Sequence, residues 1–280
     1  MASLEQLKKR LRSVELTKQL TNAMKTASSA KYSKINKLNL AYSKYANECE
    51  KLSSCVTDIE RNNSVSNAKD CYLIVGYNRG LCGAYNYDLH SFSAETLQAL
   101  NDFSLIVTGK NAVNYFTEKG YDFTHFETPD VPSIDSASPL LDEIYSLYAS
   151  GQAPNVYVIY QSFINTMTQK PVVKKLLPFD NEEITSNDNV LWLPDKQSVN
   201  RDLHHKLFLS RAFKILIEGA LGAQAATLMA MRTAVDHAND TQTKLNIEIQ
   251  KKRQSAVTTS VIETSSGASN SEEVQYGKRK

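Results

Sequence analysis

Apolar residues near the start of the chain recur at intervals of three and four, the spacing of a helix with one buried stripe. The first run comprises Leu4, Leu7, Leu11 and Val14. A second run keeps the same spacing and consists of Ile35, Leu38, Tyr42, Tyr45, Cys49, Leu52, Val56 and Ile59. Neither glycine nor proline occurs before Gly76, so no residue of either type interrupts a helix. The pattern predicts a coiled-coil helix from about Ser3 to Ile59.

Between these two runs the apolar positions shift to a different stripe. Its members are Leu16, Leu20, Met24 and Ala27. The surrounding residues, from Thr21 to Ser33, are mostly small. Large side chains interlock with a partner, whereas small ones leave a smooth surface. The segment is interpreted either as a loosely packed stretch of coiled coil or as a smooth surface towards a partner.

A second long helical pattern begins near Leu203. One heptad frame contains Leu221, Leu228, Met231, Val235, Ala238, Leu245, Ile249 and Ala256. Polar residues occupy the same frame at Gln242 and Lys252. Gly219 and Gly222 weaken the helix by about 1 kcal/mol each relative to alanine, so a bend is expected there. Because each apolar stripe needs a partner, the two terminal helices are predicted to pair antiparallel.

The region between the terminal helices alternates between strand-like and helix-like segments. The predicted strands are 71–77, 105–108, 122–126, 155–163 and 171–177, and the predicted helices are 85–100, 110–119 and 139–150. This alternation indicates a mostly parallel, Rossmann-like sheet with helices on its faces. An acidic, asparagine-rich stretch over 180–190 predicts a mobile loop.

The predicted fold class is therefore α/β with a long antiparallel α-helical coiled coil, the sheet domain being inserted between the terminal helices. The predicted boundaries are 1–62 for the N-terminal helix, 68–200 for the Rossmann-like domain and 203–264 for the C-terminal helix. The polar tail 265–280 is predicted to be disordered.

Charge is distributed unevenly along the chain of 280 residues, whose net charge is +2. The first 44 residues contain ten basic and two acidic residues, which gives +8, and residues 203–262 contain eight and four, which gives +4. The stretch 45–202 contains eleven basic and twenty-one acidic residues, which gives −10. The basic ends are expected to meet an acidic partner.

Several classes of protein find no support in the sequence. No apolar run approaches the roughly 18 residues of a membrane span, and the first residues lack the features of a signal or transit peptide, so residence in the cytosol is expected. The four cysteines show no metal-binding spacing. Gly76, Gly80 and Gly83 have the wrong spacing for a dinucleotide fingerprint, and no hydrolase motif occurs. We therefore expect no catalytic residue, cofactor or metal.

Five segments resemble one protein family. The segment 4–14 is rich in leucine and basic residues, and 20–25 reads Leu-Thr-Asn-Ala-Met-Lys. After the first predicted strand, 79–83 reads Arg-Gly-Leu-Cys-Gly. Near the end, 229–239 reads Met-Ala-Met-Arg-Thr-Ala-Val-Asp-His-Ala-Asn and 253–258 reads Arg-Gln-Ser-Ala-Val-Thr. In this order the motifs resemble the gamma subunits of F-type ATP synthases, the central rotor shaft of that enzyme.

The resemblance implies a non-catalytic subunit that turns inside a hexamer of alpha and beta subunits and couples ATP synthesis or hydrolysis to ion transport, usually of hydrogen ions. By the family pattern, Met24 and Lys25 meet the acidic lever of a beta subunit, and Arg253, Gln254 and Thr258 engage its catch loop. Further implied partners are the epsilon subunit and the membrane c-ring. The implied location is the cytoplasmic face of a bacterial-type membrane, as part of the complex.

Some positions depart from the family. Asn78 stands where aspartate is usual, and Ala84 stands where glycine is common. The chain also runs about ten residues past the usual end, which leaves open a rotor of a specialised F-type-like ATPase that drives another process. An alternative from a different class is a basic coiled-coil protein that binds nucleic acid through its lysine-rich helices.

Overall fold

The computed structural model describes residues 3–59, 68–100, 102–179, 193 and 195–277, with side chains described as far as 266. The helices are α1 (Leu4–Lys51), α2 (Tyr85–Gln98), α3 (Lys110–Glu118), α4 (Ile134–Ala149) and α5 (Lys196–Gly277). The strands are β1 (Asp70–Val75), β2 (Phe103–Thr108), β3 (Thr124–Phe126), β4 (Val156–Phe163) and β5 (Gln169–Leu177). All eight elements predicted for the middle of the chain are confirmed. The loop predicted over 180–190 lies outside the described residues.

The chain divides into two compact units. One is Thr26–Ala230, and the other combines Met1–Lys25 with Met231–Lys280. We call the first the sheet unit and the second the helix-pair unit. The boundaries 1–62, 68–200 and 203–264 remain a proposal about how the chain is organised in function.

The sheet unit is built on a five-stranded sheet in the order β3-β2-β1-β4-β5. Strands β1, β2, β3 and β4 run parallel, whereas β5 pairs antiparallel with β4 at one edge. Five consecutive residues of β1, from Cys71 to Val75, are buried. An unbroken buried run is typical of a central parallel strand that is covered on both faces. The prediction of a mostly parallel sheet is confirmed.

The two faces of β1 belong to separate cores. Leu73 and Val75 belong to the larger one, which also contains Ile144 of α4 and Phe208 of α5. Tyr72 and Ile74 point to the other face and pack in a core with α2 and α3. Alternation of side chains along the strand explains this division, because successive residues face opposite sides of a sheet.

Helix α4 begins five residues before the start predicted at 139. Ser133 is its N-cap: the Ser133 side chain accepts a hydrogen bond from the Ser136 backbone N–H, and the Ser136 side chain accepts one from the Ser133 backbone. This reciprocal arrangement satisfies the first free amides of the helix. Pro139 lies inside the helix, close enough to its start to be tolerated.

Helix α1 ends eight residues earlier than predicted, and a 3₁₀ turn over Ser53–Cys55 follows it. Val56 is then extended. The Asn200 side chain of α5 accepts a hydrogen bond from the Thr57 N–H (2.8 Å) and donates one to the Thr57 carbonyl (2.9 Å). Both backbone groups of Thr57 are thus bonded to a side chain instead of to a helical turn. The prediction of helix up to Ile59 is wrong for this reason.

Helix α5 starts before the predicted residue 203, because the Asp195 carboxylate accepts a hydrogen bond from the Ser198 N–H (2.8 Å) and caps it. The helix passes Gly219 and Gly222 without a break and continues to Gly277, where the sequence predicts a disordered tail from 265. Proline is absent from this whole stretch, so the backbone can remain helical.

Among the residues that the structure describes, one helix has the length and composition of a membrane span. It is the part of α5 over Lys196–Ser266, in which one window of 18 residues has a mean hydropathy of 1.2. About two-thirds of that window (67%) is buried inside the protein. Burial of this kind is also what a core helix shows, so the test is weak evidence for a span.

Candidate functional site

The sheet contains the place where proteins of this architecture bind nucleotides. Strand β1 has β2 on one side and β4 on the other, so the chain order reverses between β1 and β4. In open α/β sheets, ligands bind in the crevice at the carboxyl ends of the strands at such a reversal. In this chain the crevice is the first candidate for a functional site.

Helix α5 fills this crevice. The Tyr85 hydroxyl, at the start of α2, donates a hydrogen bond to the Gly219 carbonyl of α5 (2.7 Å). The Gln224 side chain donates a hydrogen bond to the Tyr77 hydroxyl just after β1. On the β4 side, the buried Gln161 donates to the Tyr85 carbonyl (3.0 Å). The groups that would contact a ligand in a nucleotide-binding protein therefore contact α5.

A second helix N-terminus at this edge of the sheet, the start of α3, is also occupied. Free amides at a helix N-terminus can bind phosphate. The Asn78 side chain occupies that position, because its Oδ1 accepts a hydrogen bond from the Lys110 N–H (3.2 Å) and its Nδ2 donates to the Thr128 carbonyl (2.5 Å). Gly76 and Gly109 lie so close that a Cβ on Gly109 would be 2.5 Å from the Gly76 carbonyl carbon. The glycines serve backbone packing.

The motif Arg-Gly-Leu-Cys-Gly is held by an ion-pair cluster. The Asp130 carboxylate is only 16% exposed and lies 2.8 Å from Arg79 Nε of the motif and 2.6 Å from Lys31 Nζ of α1. A carboxylate shared by two cations and largely shielded from water forms strong, directional bonds. The cluster joins α1, the turn after β1 and the segment before α4, and leaves one excess positive charge.

No catalytic constellation is present in the described part of the chain. No group of three or more potential metal ligands occurs there. His90 is buried against Tyr115 and Phe116, and desolvation lowers its pKa to about 4, so it stays neutral inside the core. His204 is fully buried and packs against Tyr148. Both imidazoles lie in the packed interior, which suits structural residues.

The helix-pair unit is a coiled coil in one heptad frame. On α5 the shielded positions are Met231, Val235, Ala238, Thr241, Gln242, Leu245, Ile249 and Lys252. On α1 they include Leu4, Leu7, Leu11, Val14, Lys18, Thr21 and Lys25. The predicted frame of α5 is confirmed up to Ile249, whereas Ala256 is exposed.

The shifted stripe predicted for α1 is wrong. Leu16 is 58% exposed and Leu20 is 63% exposed. The seam keeps its original frame and passes through Lys18 and Thr21. The Lys18 ammonium donates to Gln242 Oε1 (3.1 Å), so polar side chains satisfy each other within the seam and the frame does not need to shift.

The five residues predicted to contact a beta subunit lie on the helix pair. Lys25 is a half-buried position of the seam and Met24 is half-buried beside it, whereas Arg253, Gln254 and Thr258 are exposed. The Thr258 hydroxyl donates to the Gln254 carbonyl (2.9 Å), so these two residues lie one turn apart on one face. Because Lys18 meets Gln242, Lys25 lies level with about residue 235, roughly 27 Å along the helix from Arg253. They form two separate groups.

Sequence reasoning missed an apolar cavity of about 360 Å³ in the sheet unit. Its walls come from α1, α4 and α5 and comprise Tyr42, Tyr45, Ile134, Ser138, Leu141, Lys206, Leu209, Ser210 and Phe213. Tyr45 was predicted to be in the seam, but it is 51% exposed, and Ala46 is buried in its place. One residue of the sequence could have indicated this cavity. Ile134 is an exposed apolar residue at the first position of α4, where a polar side chain is expected.

The chain matches known proteins over almost its whole length. The profile of the family described as ATP synthase matches residues 3–270. The ATP synthase gamma chain of Desulfitobacterium hafniense is 28% identical over 279 residues, which cover 96% of this chain and 99% of that relative. The gamma chain of Staphylococcus epidermidis is 27% identical over 288 residues, with coverage of 96% and 99%.

Solved structures share the fold. The rotor of the Euglena gracilis mitochondrial ATP synthase matches with a TM-score of 0.65 at 16% identity, covering 91% of this chain and 98% of that one. The central stalk of the Tetrahymena thermophila enzyme matches with a TM-score of 0.60, also at 16% identity, covering 77% and 99%. The fold, the order of the motifs and the family profile agree, and the chain therefore belongs to the family of ATP synthase gamma chains.

Proposed function

We propose that this chain is the central-stalk rotor of an F-type ATP synthase or ATPase, and that it has no active site of its own. The observation that carries this proposal is the helix pair with one continuous heptad frame, attached in sequence to a nucleotide-type sheet whose ligand crevice is filled by its own helix. A stiff two-helix rod suits a mechanical part, and a filled crevice removes the obvious place for chemistry.

The rotor turns within a hexamer of alternating alpha and beta subunits. An asymmetric rod touches three chemically identical beta subunits differently at any moment. Such differential contact biases the three catalytic sites toward different nucleotide affinities. Rotation then exchanges the roles of the sites, so that ATP synthesis or hydrolysis is coupled to ion translocation.

Two groups of residues make the contacts with beta subunits in this proposal. Met24 and Lys25 meet an acidic lever, and Arg253, Gln254 and Thr258 engage a catch loop higher in the head. The exposure of the second group and the excess charge of +8 in the first 44 residues support this assignment. Long-range attraction without deep interlocking permits turning under load.

The epsilon subunit and the membrane c-ring are the proposed partners of the sheet unit. The apolar cavity beside Tyr45 and Ile134 supports such a contact, because both side chains are exposed at its edge. Exposed apolar patches of this kind mark protein interfaces. Contact with the membrane is then indirect, at the cytoplasmic face of a bacterial-type cell membrane and only through the complex.

Co-purification tests the class of function directly. We expect the tagged chain, expressed in its own cells, to bring down two larger ATPase subunits at three copies each per copy of the chain. Binding of DNA or RNA with a steep salt dependence, in the absence of such subunits, would instead support a nucleic-acid-binding protein.

Substitution tests the proposed contacts. The triple variant Arg253→Ala, Gln254→Ala, Thr258→Ala is expected to lower the torque of the assembled ATPase in a single-bead assay. A matched control is Glu248→Ala, Thr243→Ala, Lys244→Ala, which changes exposed residues of the same helix. Equal torque in both variants would refute the assignment of the catch-loop contact.

A further inference from the structure

Helix α5 is enclosed on all sides over one short stretch. Five consecutive residues, 221–225, are buried. Successive helical residues point about 100° apart, so five of them cover more than the full circumference. Beyond residue 230 the same helix shows only one buried stripe, with the buried residues Met231, Val235 and Leu245. We call the enclosing structure around 219–225 the collar.

Tyr85 contacts the backbone of α5 directly within the collar. Its hydroxyl donates to the Gly219 carbonyl at 2.7 Å. A Cβ placed on Gly222 would lie 3.3 Å from Tyr85 Cε2, so the aromatic ring lies against the bare helix. Glycine at both positions lets the ring approach the helix axis more closely than any side chain would permit. Tyr85 therefore contacts α5 at two positions, Gly219 and Gly222, which lie about one helical turn apart.

A second tyrosine holds α5 through a different side of the helix. Gln224 donates a hydrogen bond to the Tyr77 hydroxyl, and Gln224 is 1% exposed. Tyr77 and Tyr85 meet edge to face, with ring centroids 6.5 Å apart. Gln161 of β4 donates to the Tyr85 carbonyl at 3.0 Å and so ties the start of α2 to the sheet. Burial raises the pKa of both tyrosines, which keeps their hydroxyls protonated.

These contacts oppose rotation of α5 about its own axis. The Cα atoms of a helix lie about 2.3 Å from the axis, so a turn of roughly 20° displaces them by about 0.8 Å. That displacement would shift the Gly219 carbonyl relative to the Tyr85 hydroxyl and turn it away by the same angle, which weakens their hydrogen bond. A Gln224 amide, farther from the axis, would move more. Sliding along the axis would drive the side chain of Ala226, which follows Gly222 on the same face of the helix, against the ring of Tyr85.

We propose that the collar is the torque clamp of this chain, the point at which load carried by α5 passes to the sheet. In this proposal Tyr77, Tyr85, Gln161 and Gln224 are positioning residues, and Gly219 and Gly222 permit the close contact. The inference rests on the rotor function proposed above, and it assigns a mechanical role to residues that contact no other subunit, since all of them are buried within the chain.

The test compares variants of the assembled ATPase. Tyr85→Phe removes the hydroxyl that bonds to the Gly219 carbonyl. Gln224→Leu removes the amide that bonds to the Tyr77 hydroxyl, and the double variant removes both hydrogen bonds. Tyr87→Phe is the matched control, because it makes the same chemical change two residues away on a side chain that is 73% exposed. We expect ATP hydrolysis without load to stay within about twofold in all variants, because no variant changes a catalytic subunit.

Two readouts separate a clamp from an ordinary packing contact. Ion pumping per ATP against a gradient should fall by about fivefold in each single variant and further in the double variant, the amount that loss of one hydrogen bond implies. Hydrogen exchange of the amides at 219–226 should accelerate by about tenfold, whereas exchange at 238–249 should not change. The control should match the unmodified complex in both.

Each outcome is decisive. Unchanged pumping per ATP in the double variant, with faster exchange at the collar, would overturn the clamp while leaving the rotor function intact. Absence of rotation in the unmodified complex would overturn the proposed function, and the clamp with it. If the double variant fails to assemble, Tyr85→Phe alone decides the question, because it leaves the shape of the core unchanged.

Discussion

Four glycines of the sheet unit form a natural two-by-two experiment on backbone strain and close packing. Gly109 has a φ of +85°, and a Cβ there would lie 2.5 Å from the carbonyl carbon of Gly76. Gly76 lacks a positive φ, but its Cβ would lie 2.4 Å from the Thr108 carbonyl oxygen. Gly120 has a φ of +75° with open space around it, and Gly80 has open space and no positive φ. Substitution by alanine therefore tests overlap and strain separately.

The expected losses in free energy of unfolding follow from these geometries. Gly120→Ala should cost about 1 kcal/mol, the penalty of a left-handed conformation for an L-residue. Gly76→Ala should cost about 3 kcal/mol, because the overlapping atoms are backbone and cannot move aside. Gly109→Ala combines both effects and should cost about 4 kcal/mol. Gly80→Ala should change stability by less than about 0.5 kcal/mol.

Hydrogen exchange of peptides from β1 and β2 is the appropriate assay, because it reports the opening of the sheet and does not require the whole chain to unfold in one step. Urea unfolding followed by tyrosine fluorescence gives a second measure. The reasoning would be refuted if Gly109→Ala and Gly120→Ala destabilised the sheet equally, since the close approach to Gly76 would then carry no cost.

Three further predictions concern the seam, a buried histidine and the crevice. Leu7→Ser should lower stability by about 3 kcal/mol and Leu20→Ser by less than about 0.5 kcal/mol, measured by thermal melting of the full chain, because Leu7 is 3% exposed and Leu20 is 63% exposed; equal losses would contradict the corrected frame. Because the pKa of His90 is lowered from 6.5 to about 4, the unfolded chain binds the extra proton between these values, so stability should fall as pH drops from 6.5 to 4. His90→Leu should remove about 2 kcal/mol of that fall, measured by urea unfolding at pH 7 and pH 4.5. The same loss of stability between these pH values in the variant would contradict a buried, neutral imidazole. ATP titrated into the full chain should give no heat of binding in calorimetry, since α5 occupies the crevice; micromolar binding would show that the helix can leave it.

The middle of the chain could be predicted because local signals there agree with the tertiary structure. Most prolines and glycines of this region lie between the elements, Pro139 and Pro171 being the exceptions. Strand β1 is one apolar run, as a strand covered on both faces requires. The start of α4 was misplaced because Pro139 looks like a boundary, whereas the actual cap is the Ser133–Ser136 pair. The hydrogen bonds of the cap determine where a helix starts. A serine-rich segment contains several residues that could serve as the cap.

Other features depend on distant residues and leave no local trace. Leu16 and Leu20 are more apolar than Lys18 and Thr21, so a pattern of hydrophobicity selects the wrong side of α1. The correct side is chosen by α5, some 220 residues away, through the Lys18–Gln242 hydrogen bond. The collar is hidden for the same reason, because the small residues Gly222, Ala223 and Ala225 give no hint that two tyrosines enclose the helix.

The residues proposed to contact a beta subunit follow from the resemblance to the family. The chemistry of the sequence adds only that the ends of the chain are basic. Arg253 and its neighbours lie on an exposed face, which is required for a contact but is shared with many other residues of the helix. No side chain in either group is arranged by a special local structure. Contacts that form only in the assembled complex leave no mark on the structure of the single chain.

The side chain of Asn78 both donates and accepts a hydrogen bond, and so it links two other parts of the chain. Its amide nitrogen supplies the Thr128 carbonyl with a donor, while its amide oxygen receives the Lys110 N–H. A carboxylate at this position could accept hydrogen bonds but could not donate one. Relatives with aspartate at this position must therefore satisfy that carbonyl from elsewhere or bend the 128–130 segment away. The identity of residue 78 is therefore linked to the path of a segment fifty residues later.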